Sequence, residues 1–94
     1  MHGLPNETYS KIKKVLDKYQ EAQFKLFGSR ARGDFKFNSD IDLAIVNDLS
    51  EDLENKIRNE FSTLETLYKI DLVFVNKCSN EKLIENIKKE GVDF

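Results

Sequence analysis

Three aspartates in two apolar segments are the residues best suited to chemistry. Asp40 and Asp42 are two residues apart, and Asp71 lies in a segment, residues 70–75, that closely echoes residues 41–46. A charged side chain within an apolar strand is costly to bury without a partner, and neither strand interior contains a Lys or Arg. Carboxylate oxygens are hard ligands that suit Mg²⁺ or Mn²⁺ better than zinc. The pattern therefore favours a divalent-cation site.

The spacing of these aspartates predicts where they lie in a sheet. If Asp40 and Asp42 are both in strand conformation, their side chains point to the same side. If the two echoing segments pair in parallel and in register, Asp42 and Asp71 are neighbours at a backbone spacing of about 4.8 Å. The alternative is that Asp40 and Asp42 belong to a turn and Asp71 is a solvated strand-start residue, because an Asp-x-Asp pair alone is common.

A glycine-serine turn precedes the aspartates. Gly28 ends an alternating apolar segment, and its missing Cβ would let a phosphate approach the backbone closely, with the Ser29 hydroxyl as a donor. Arg30 and Arg32 follow, and arginine can bind phosphate oxygens through two N–H groups. The alternative is an ordinary strand-ending turn with solvated arginines. A phosphate turn beside a metal site indicates chemistry on a nucleotide.

Length and composition limit the class of protein. With 94 residues, of which 39% are hydrophobic, we expect one soluble domain over residues 1–94, of a size often completed by a partner or a second copy. The net charge of -2 gives no case for direct nucleic-acid binding. The lone Cys78 fits a reducing compartment. No signal-peptide pattern or membrane-length apolar run is seen, so we expect a cytoplasmic protein.

Periodicity predicts alternating helices and strands. The first half of the chain should form a helix over residues 5–19, a strand over 23–27, and a polar loop over 30–39 with a helical turn as an option after Ser29. A strand over 41–46 follows, and then a helix capped by Ser50 whose apolar stripe runs from Leu53 to Leu67. The chain continues with a strand over 69–75 and a last helix that opens at 79–82 and stops at Gly91. The second and third strands flank a helix of crossover length and should be parallel neighbours. The loop between the first two strands is too short for a crossover, so that pair should be antiparallel. The expected fold is α/β (α+β), a small mixed sheet backed by helices.

Together, the segments at residues 28–33, 39–43 and 70–72 resemble the signature of the nucleotidyltransferase superfamily with the DNA polymerase beta-like palm fold. That signature is Gly-Ser, a second glycine, Asp-x-Asp, and a third Asp on a later strand. The small size and the Gly-Ser-Arg-Ala-Arg-Gly sequence are similar to the minimal nucleotidyltransferases, or MNT domains, of bacteria and archaea. The resemblance spans residues 24–75, and the remaining helices fit by order only.

The resemblance implies a role for each aspartate. Asp40 and Asp42 would ligate two Mg²⁺ ions, and Asp71 would complete the site of the catalytic ion and favour deprotonation of the attacking hydroxyl. The reaction would be in-line attack of a hydroxyl on the α-phosphorus of a nucleoside triphosphate, with ATP as the expected substrate and pyrophosphate as the leaving group.

The resemblance also implies a nucleotide grip and a partner. Gly28 and Ser29 would hold the triphosphate, helped by Arg30 and Arg32. MNT domains often act as antitoxins of HEPN-type toxins, to which they transfer AMP, and this chain shows no second domain to present an acceptor hydroxyl. Two alternatives stay open at this point: an antitoxin that neutralises its toxin by binding alone, and a nucleotidyltransferase for a small molecule or RNA.

Overall fold

Four strands form one mixed sheet. The computed structural model describes residues 3–94. Strand β1 (Phe24–Phe27) pairs antiparallel with β2 (Ile41–Ile45), and β2 pairs parallel with β3 (Ile70–Phe74). A fourth strand, β4 (Val92–Asp93), pairs antiparallel with β1, which gives the order β3-β2-β1-β4. The predicted strand directions and the predicted mixed sheet are confirmed.

Within residues 3–94, four α-helices connect and cover these strands. They are α1 (Asn6–Lys18), α2 (Ser29–Arg32), α3 (Glu51–Ser62) and α4 (Glu81–Glu90), with a 3-10 turn at Val75–Lys77. The single turn of α2 corresponds to the helical turn that the sequence left as an option after Ser29, although it begins at Ser29 itself. None of the helices between residues 3 and 94 has the length and apolar character needed to cross a membrane.

The sheet is covered on both faces. On one face, apolar residues of α1 and α3, such as Ile12 and Ile57, join the strand residues Leu26 and Leu43 in the main core. On the other, Ile87 of α4 belongs to a second cluster with Phe27 and Ala44. Burial on both faces explains why the segment that became β2 reads as a nearly continuous apolar run.

The structure confirms the start of α3 and corrects its end. The Ser50 hydroxyl accepts a hydrogen bond from the Leu53 amide at 3.2 Å, as expected for an N-cap. The helix ends at Ser62, however, and Leu67 is fully exposed. The hydroxyls of Ser62 and Thr63 both donate to the carbonyl of Asn59, so local side-chain bonds compete with continuation of the helix.

The last helix begins within residues 79–82, where the sequence predicts that it opens. Its N-cap is Asn80, whose Oδ1 accepts from the Leu83 amide at 3.1 Å, and Ser79 lies outside the helix. Gly91 ends α4 as predicted, and its amide donates to the Ile87 carbonyl at 2.8 Å.

The C-terminal residues form an element that the sequence analysis did not predict. Val92 pairs with Leu26 across the β1–β4 ladder, and Asp93 forms an ion pair with Lys25 at 2.6 Å. The ring of Phe94 stacks on that of Tyr9, with centroids 5.1 Å apart. A two-residue strand is too short to show a period in sequence.

Candidate active site

Asp42 and Asp71 are neighbours in the parallel ladder. They are register partners in the β2–β3 pair, as the echo between the two segments predicted. Each is the second residue of its strand, so both lie at the same end of the sheet, and both are half-buried. Asp71 also forms an ion pair with Lys69, whose Nζ lies 3.6 Å from its Oδ1.

Asp40 lies just outside the strand. It precedes β2 and is exposed, so only Asp42 of the Asp-x-Asp pair has strand conformation. The next residue is fixed to the neighbouring strand, because the Ile41 amide donates to the Lys69 carbonyl at 2.9 Å. Asp40 is near enough to Asp42 for its charge to act on that carboxyl.

The electrostatics of Asp42 reflect a crowded carboxylate site. Partial burial, followed by the charges of Asp71 and Asp40, raises the pKa of Asp42 from 3.8 to about 6, and a hydrogen bond with Asp71 acts in the same direction. The charge of Arg32 lowers this pKa in part. Removing a proton from Asp42 therefore adds negative charge to a place where negative charge already accumulates.

The donor set fits a hard divalent cation. Within residues 3–94, no group of three or more His, Cys, Asp or Glu side chains is arranged as a ready-made metal site. The chemistry of the donors nevertheless suits Mg²⁺ or Mn²⁺, because Asp42 and Asp71 supply carboxylate oxygens from adjacent strands and Asp40 adds charge beside them. A cation among them would relieve the repulsion that raises the Asp42 pKa.

Gly28 brings the turn directly against Asp42. Its φ of 78° and ψ of -156° fall in a region that is essentially reserved for glycine. A Cβ at this position would overlap Oδ2 of Asp42 and lie 3.1 Å from its Cγ. The missing side chain therefore gives the Asp42 carboxylate its space, in addition to the phosphate access expected from the sequence.

The turn itself is one short helix. The amides of Ala31 and Arg32 both donate to the Gly28 carbonyl at 3.1 Å, and the Gly33 amide donates to the Ser29 carbonyl at 2.9 Å. Ser29 is the first residue of this turn and is half-buried. The structure thus brings Gly28 and Ser29 to the same end of the sheet as the aspartates.

The two arginines of the turn have different surroundings. Arg32 is half-exposed and forms ion pairs with Glu90 at 2.8 Å and Asp34 at 3.1 Å. Hydrogen bonds to Glu90 and then Asp34 raise the pKa of Arg32, and its charge also reaches Asp42. Arg30 is 1% exposed and donates to backbone carbonyls of the loop before β2. Of the two, only Arg32 lies at the surface beside the aspartates.

Sequence reasoning missed three side chains of this region. Lys69 pairs with Asp71, and the rings of Tyr68 and Phe35 lie against the buried Arg30 guanidinium. Lys69 could have been found, because a residue two positions before Asp71 projects to the same side of a strand. Nothing in the sequence pattern indicates the two ring contacts.

The comparisons with known proteins agree with the fold and the motif. The family model described as polymerase beta, nucleotidyltransferase matches residues 10–93, so the chain belongs to that family. The chain is similar to a crystal structure of a toxin–antitoxin with AMP-PNP, with 29% identity over 95% of this chain and 72% of that chain and a TM-score of 0.63. No curated protein matches the chain in sequence.

Two further similar structures are crystal structures of mutants of the toxin–antitoxin MntA-HpeT. One carries a tyrosine-to-alanine substitution and shares 28% identity over 97% of this chain and 72% of that chain, with a TM-score of 0.61. The other carries two aspartate-to-glutamate substitutions and shares 25% identity over 88% of this chain and 68% of that chain, with a TM-score of 0.58. The superfamily and fold expected from the sequence are confirmed.

Proposed function

We propose that this protein is a Mg²⁺-dependent nucleotidyltransferase that moves AMP from ATP to a hydroxyl group of a partner protein. The observation that carries the proposal is the pairing of Asp42 with Asp71 in adjacent parallel strands, with the backbone of Gly28 against the Asp42 carboxylate. A carboxylate pair and a side-chain-free turn at one end of a sheet suit a metal-bound triphosphate.

The three aspartates would have different roles in metal binding and proton removal. Asp40, Asp42 and Asp71 would hold the metal, and Asp71 would favour loss of the proton from the attacking hydroxyl. Bound Mg²⁺ would supply charge neutralisation for the triphosphate and the leaving group. The hydroxyl oxygen would form a bond to the α-phosphorus as the bond between that phosphorus and the pyrophosphate oxygen breaks, with pyrophosphate as the leaving group and the hydroxyl proton released to solvent.

The nucleotide would lie over the turn. The Gly28 backbone and the Ser29 hydroxyl would contact the triphosphate, with Arg32 as the arginine placed to add positive charge. Reaching a phosphate would require Arg32 to exchange its ion pairs with Glu90 and Asp34 for phosphate oxygens. Arg30 is buried, so its guanidinium is not placed to contact the triphosphate as Arg32 is.

The similarity to toxin–antitoxin structures supports a protein partner. One such structure contains AMP-PNP, an ATP analogue, and another carries glutamates in place of two aspartates that are two positions apart, the spacing of Asp40 and Asp42. We infer that this chain is the antitoxin of a HEPN-type toxin in the cytoplasm, and that the toxin supplies the acceptor hydroxyl.

The experiment uses ATP labelled either at the α-phosphate or at the γ-phosphate, with Mg²⁺ and the protein encoded by the adjacent gene. The proposal expects the α-label on the partner and the γ-label in pyrophosphate. Asp42→Asn and Asp71→Asn should each abolish transfer, whereas Asp52→Asn, which removes an exposed carboxylate of α3, should not. Transfer that survives the loss of both Asp42 and Asp71 contradicts the site assignment.

A second candidate is an antitoxin that acts by binding alone. It is favoured by the ion pair between Lys69 and Asp71, in which a lysine already neutralises one of the site carboxylates. A variant with Asn at positions 40, 42 and 71 discriminates between the two. If this variant still binds and silences the toxin as the wild type does, covering the toxin is sufficient.

A further inference from the structure

Arg30 has the largest fully buried side chain among residues 3–94. Burying a guanidinium is costly unless its charge and its N–H groups are satisfied. Nε and Nη2 of Arg30 both donate to the carbonyl of Ser39, at 3.2 and 2.9 Å, and Nη2 also donates to the carbonyl of Phe37 at 3.3 Å. These bonds direct the guanidinium to the loop that leads into β2.

Two aromatic rings lie against the same guanidinium. The ring centroids of Phe35 and Tyr68 are each 5.0 Å from Cζ of Arg30. Phe35 belongs to the loop before β2, and Tyr68 lies shortly before β3, the strand that carries Asp71. Cation–π contacts stabilise a cation most where water is excluded. Arg30 therefore joins α2, the loop before β2 and the approach to β3.

The two backbone neighbours of Asp40 are both held. On one side, the Ser39 carbonyl accepts from Arg30, and on the other the Ile41 amide donates to the Lys69 carbonyl at 2.9 Å. Asp40 itself is exposed, so the position of its carboxylate depends on this backbone. If the Arg30 bonds were lost, residue 39 would be held only within its own loop, where its amide donates to the Lys36 carbonyl at 3.0 Å and its Oγ accepts from the Lys36 amide at 2.8 Å. The Ser39 carbonyl next to Asp40 would then lose its Arg30 donors.

We propose that Arg30 is a positioning residue for Asp40 and that it does not bind the nucleotide directly. By holding the Ser39 carbonyl, it places the Asp40 carboxylate beside Asp42. The assignment of Asp40 as a metal ligand rests on the proposed function. The effect of Arg30 on the backbone around Asp40 does not depend on it. Lysine cannot replace Arg30, because a single ammonium lacks the planar fork that bonds the carbonyls and stacks on both rings.

The test compares Arg30→Lys with Arg58→Lys in the free protein. Arg58 provides a matched control, since its Cζ lies 4.4 Å from the centroid of the Phe74 ring but on the exposed side of α3. Amide exchange is followed by NMR, and Mn²⁺ binding by titration. Arg30→Lys should speed exchange of the Ile41 amide by about tenfold or more and weaken Mn²⁺ binding by about tenfold, the usual effect of losing a residue that orients a metal ligand. Arg58→Lys should change neither.

Substitutions at Tyr68 keep the proposal testable if Arg30→Lys does not fold. Tyr68→Phe keeps the ring over Arg30, whereas Tyr68→Leu removes it. Only the Leu variant should speed exchange of the Ile41 amide.

The result that overturns the proposal is a folded Arg30→Lys with wild-type Ile41 exchange and wild-type Mn²⁺ affinity but a raised KM for ATP. That result would make Arg30 a nucleotide ligand. If the wild type transfers no nucleotide, the proposed function fails, and exchange at Ile41 still decides the role of Arg30.

Discussion

The carboxylate of Asp42 lies in the space that a side chain at position 28 would fill. Gly28 directly follows β1, and Asp42 pairs with Phe27, the last residue of that strand, so the turn and the carboxylate lie next to each other at the end of the ladder. The glycine is therefore needed twice, once for its backbone conformation and once for the room it leaves. This relationship links the turn that we propose to bind the nucleotide with the carboxylates that we propose to bind the metal, and it can be tested by substitution.

Gly28→Ala should lose both stability and activity, whereas Gly33→Ala should lose mainly stability. Both glycines have a positive φ, 78° and 91°, so each substitution strains the backbone by about 1–3 kcal/mol. Only at position 28 does the added Cβ meet a side chain, that of Asp42, whereas at position 33 nothing lies within 4 Å. Chemical denaturation and nucleotidyl transfer measure the two effects. Equal loss of transfer in both folded variants would contradict the account.

Asp42 should make the folded protein less stable as the pH rises. Its pKa is about 6 in the folded state and 3.8 ordinarily, so folding favours the protonated form. The stability it contributes is complete below about pH 4 and is lost as the pH rises through about 6. As the pH rises through this range, the free energy of unfolding of Asp42→Asn should come to exceed that of the wild type by about 1 kcal/mol. The difference is this small because solvent screening reduces the electrostatic effect on a half-exposed group.

The control for this pH profile is Asp93→Asn. The hydrogen bond from Lys25 lowers the pKa of Asp93, so its contribution is present above the ordinary pKa and is lost as the pH falls. As the pH rises, the free energy of unfolding of Asp42→Asn should therefore increase relative to the wild type, and that of Asp93→Asn should decrease. Urea unfolding at several pH values, without divalent ions, makes the comparison. If the difference in the free energy of unfolding between Asp42→Asn and the wild type did not change with pH, the raised pKa of Asp42 would be wrong.

Mg²⁺ should stabilise the wild type at pH 8 and should do so through the aspartates. A cation that binds only the folded state adds about 1.4 kcal/mol when its concentration is about tenfold above its Kd. Thermal unfolding with Mg²⁺ and with a chelator measures this gain. Asp42→Asn and Asp71→Asn should lose most of it, and Asp52→Asn should retain it. An equal gain in all three variants would place the cation elsewhere.

Helix caps provide a prediction about the fold alone. Ser50→Ala and Asn80→Ala should each reduce stability by about 1 kcal/mol, since each removes the acceptor of a first-turn amide. Ser79→Ala should have little effect, because Ser79 precedes the cap of α4. Denaturant midpoints measure all three. A larger loss for Ser79→Ala than for Asn80→Ala would contradict the cap assignment.

Much of the site could be predicted because its signals are local or repeated. The echo between the segments of Asp42 and Asp71, with a crossover-length helix between them, is sufficient to predict the parallel register. The role of Arg30 could not be predicted, because the groups that bury it, such as the Ser39 carbonyl and the Tyr68 ring, come from other parts of the chain. In sequence, Arg30 resembles any arginine of a phosphate-binding turn.

The limits of the elements were harder to predict for a related reason. The stripe from Leu53 to Leu67 keeps helical spacing beyond the end of α3, where the hydroxyls of Ser62 and Thr63 donate to the Asn59 carbonyl and compete with continuation of the helix. Strand β4 depends on pairing with β1 and has too few residues to form a pattern. In both cases the deciding interactions are particular hydrogen bonds, which hydrophobic periodicity does not encode.

We propose that Asp42 and Asp71 form part of one catalytic site that modifies a partner protein. The most direct measurement is the intact mass of the purified toxin partner after incubation with this protein, ATP and Mg²⁺. The partner should gain the mass of one or more AMP groups with the wild type and with Asp52→Asn, and none with Asp42→Asn or Asp71→Asn. An unmodified partner that the wild type nevertheless silences would contradict it.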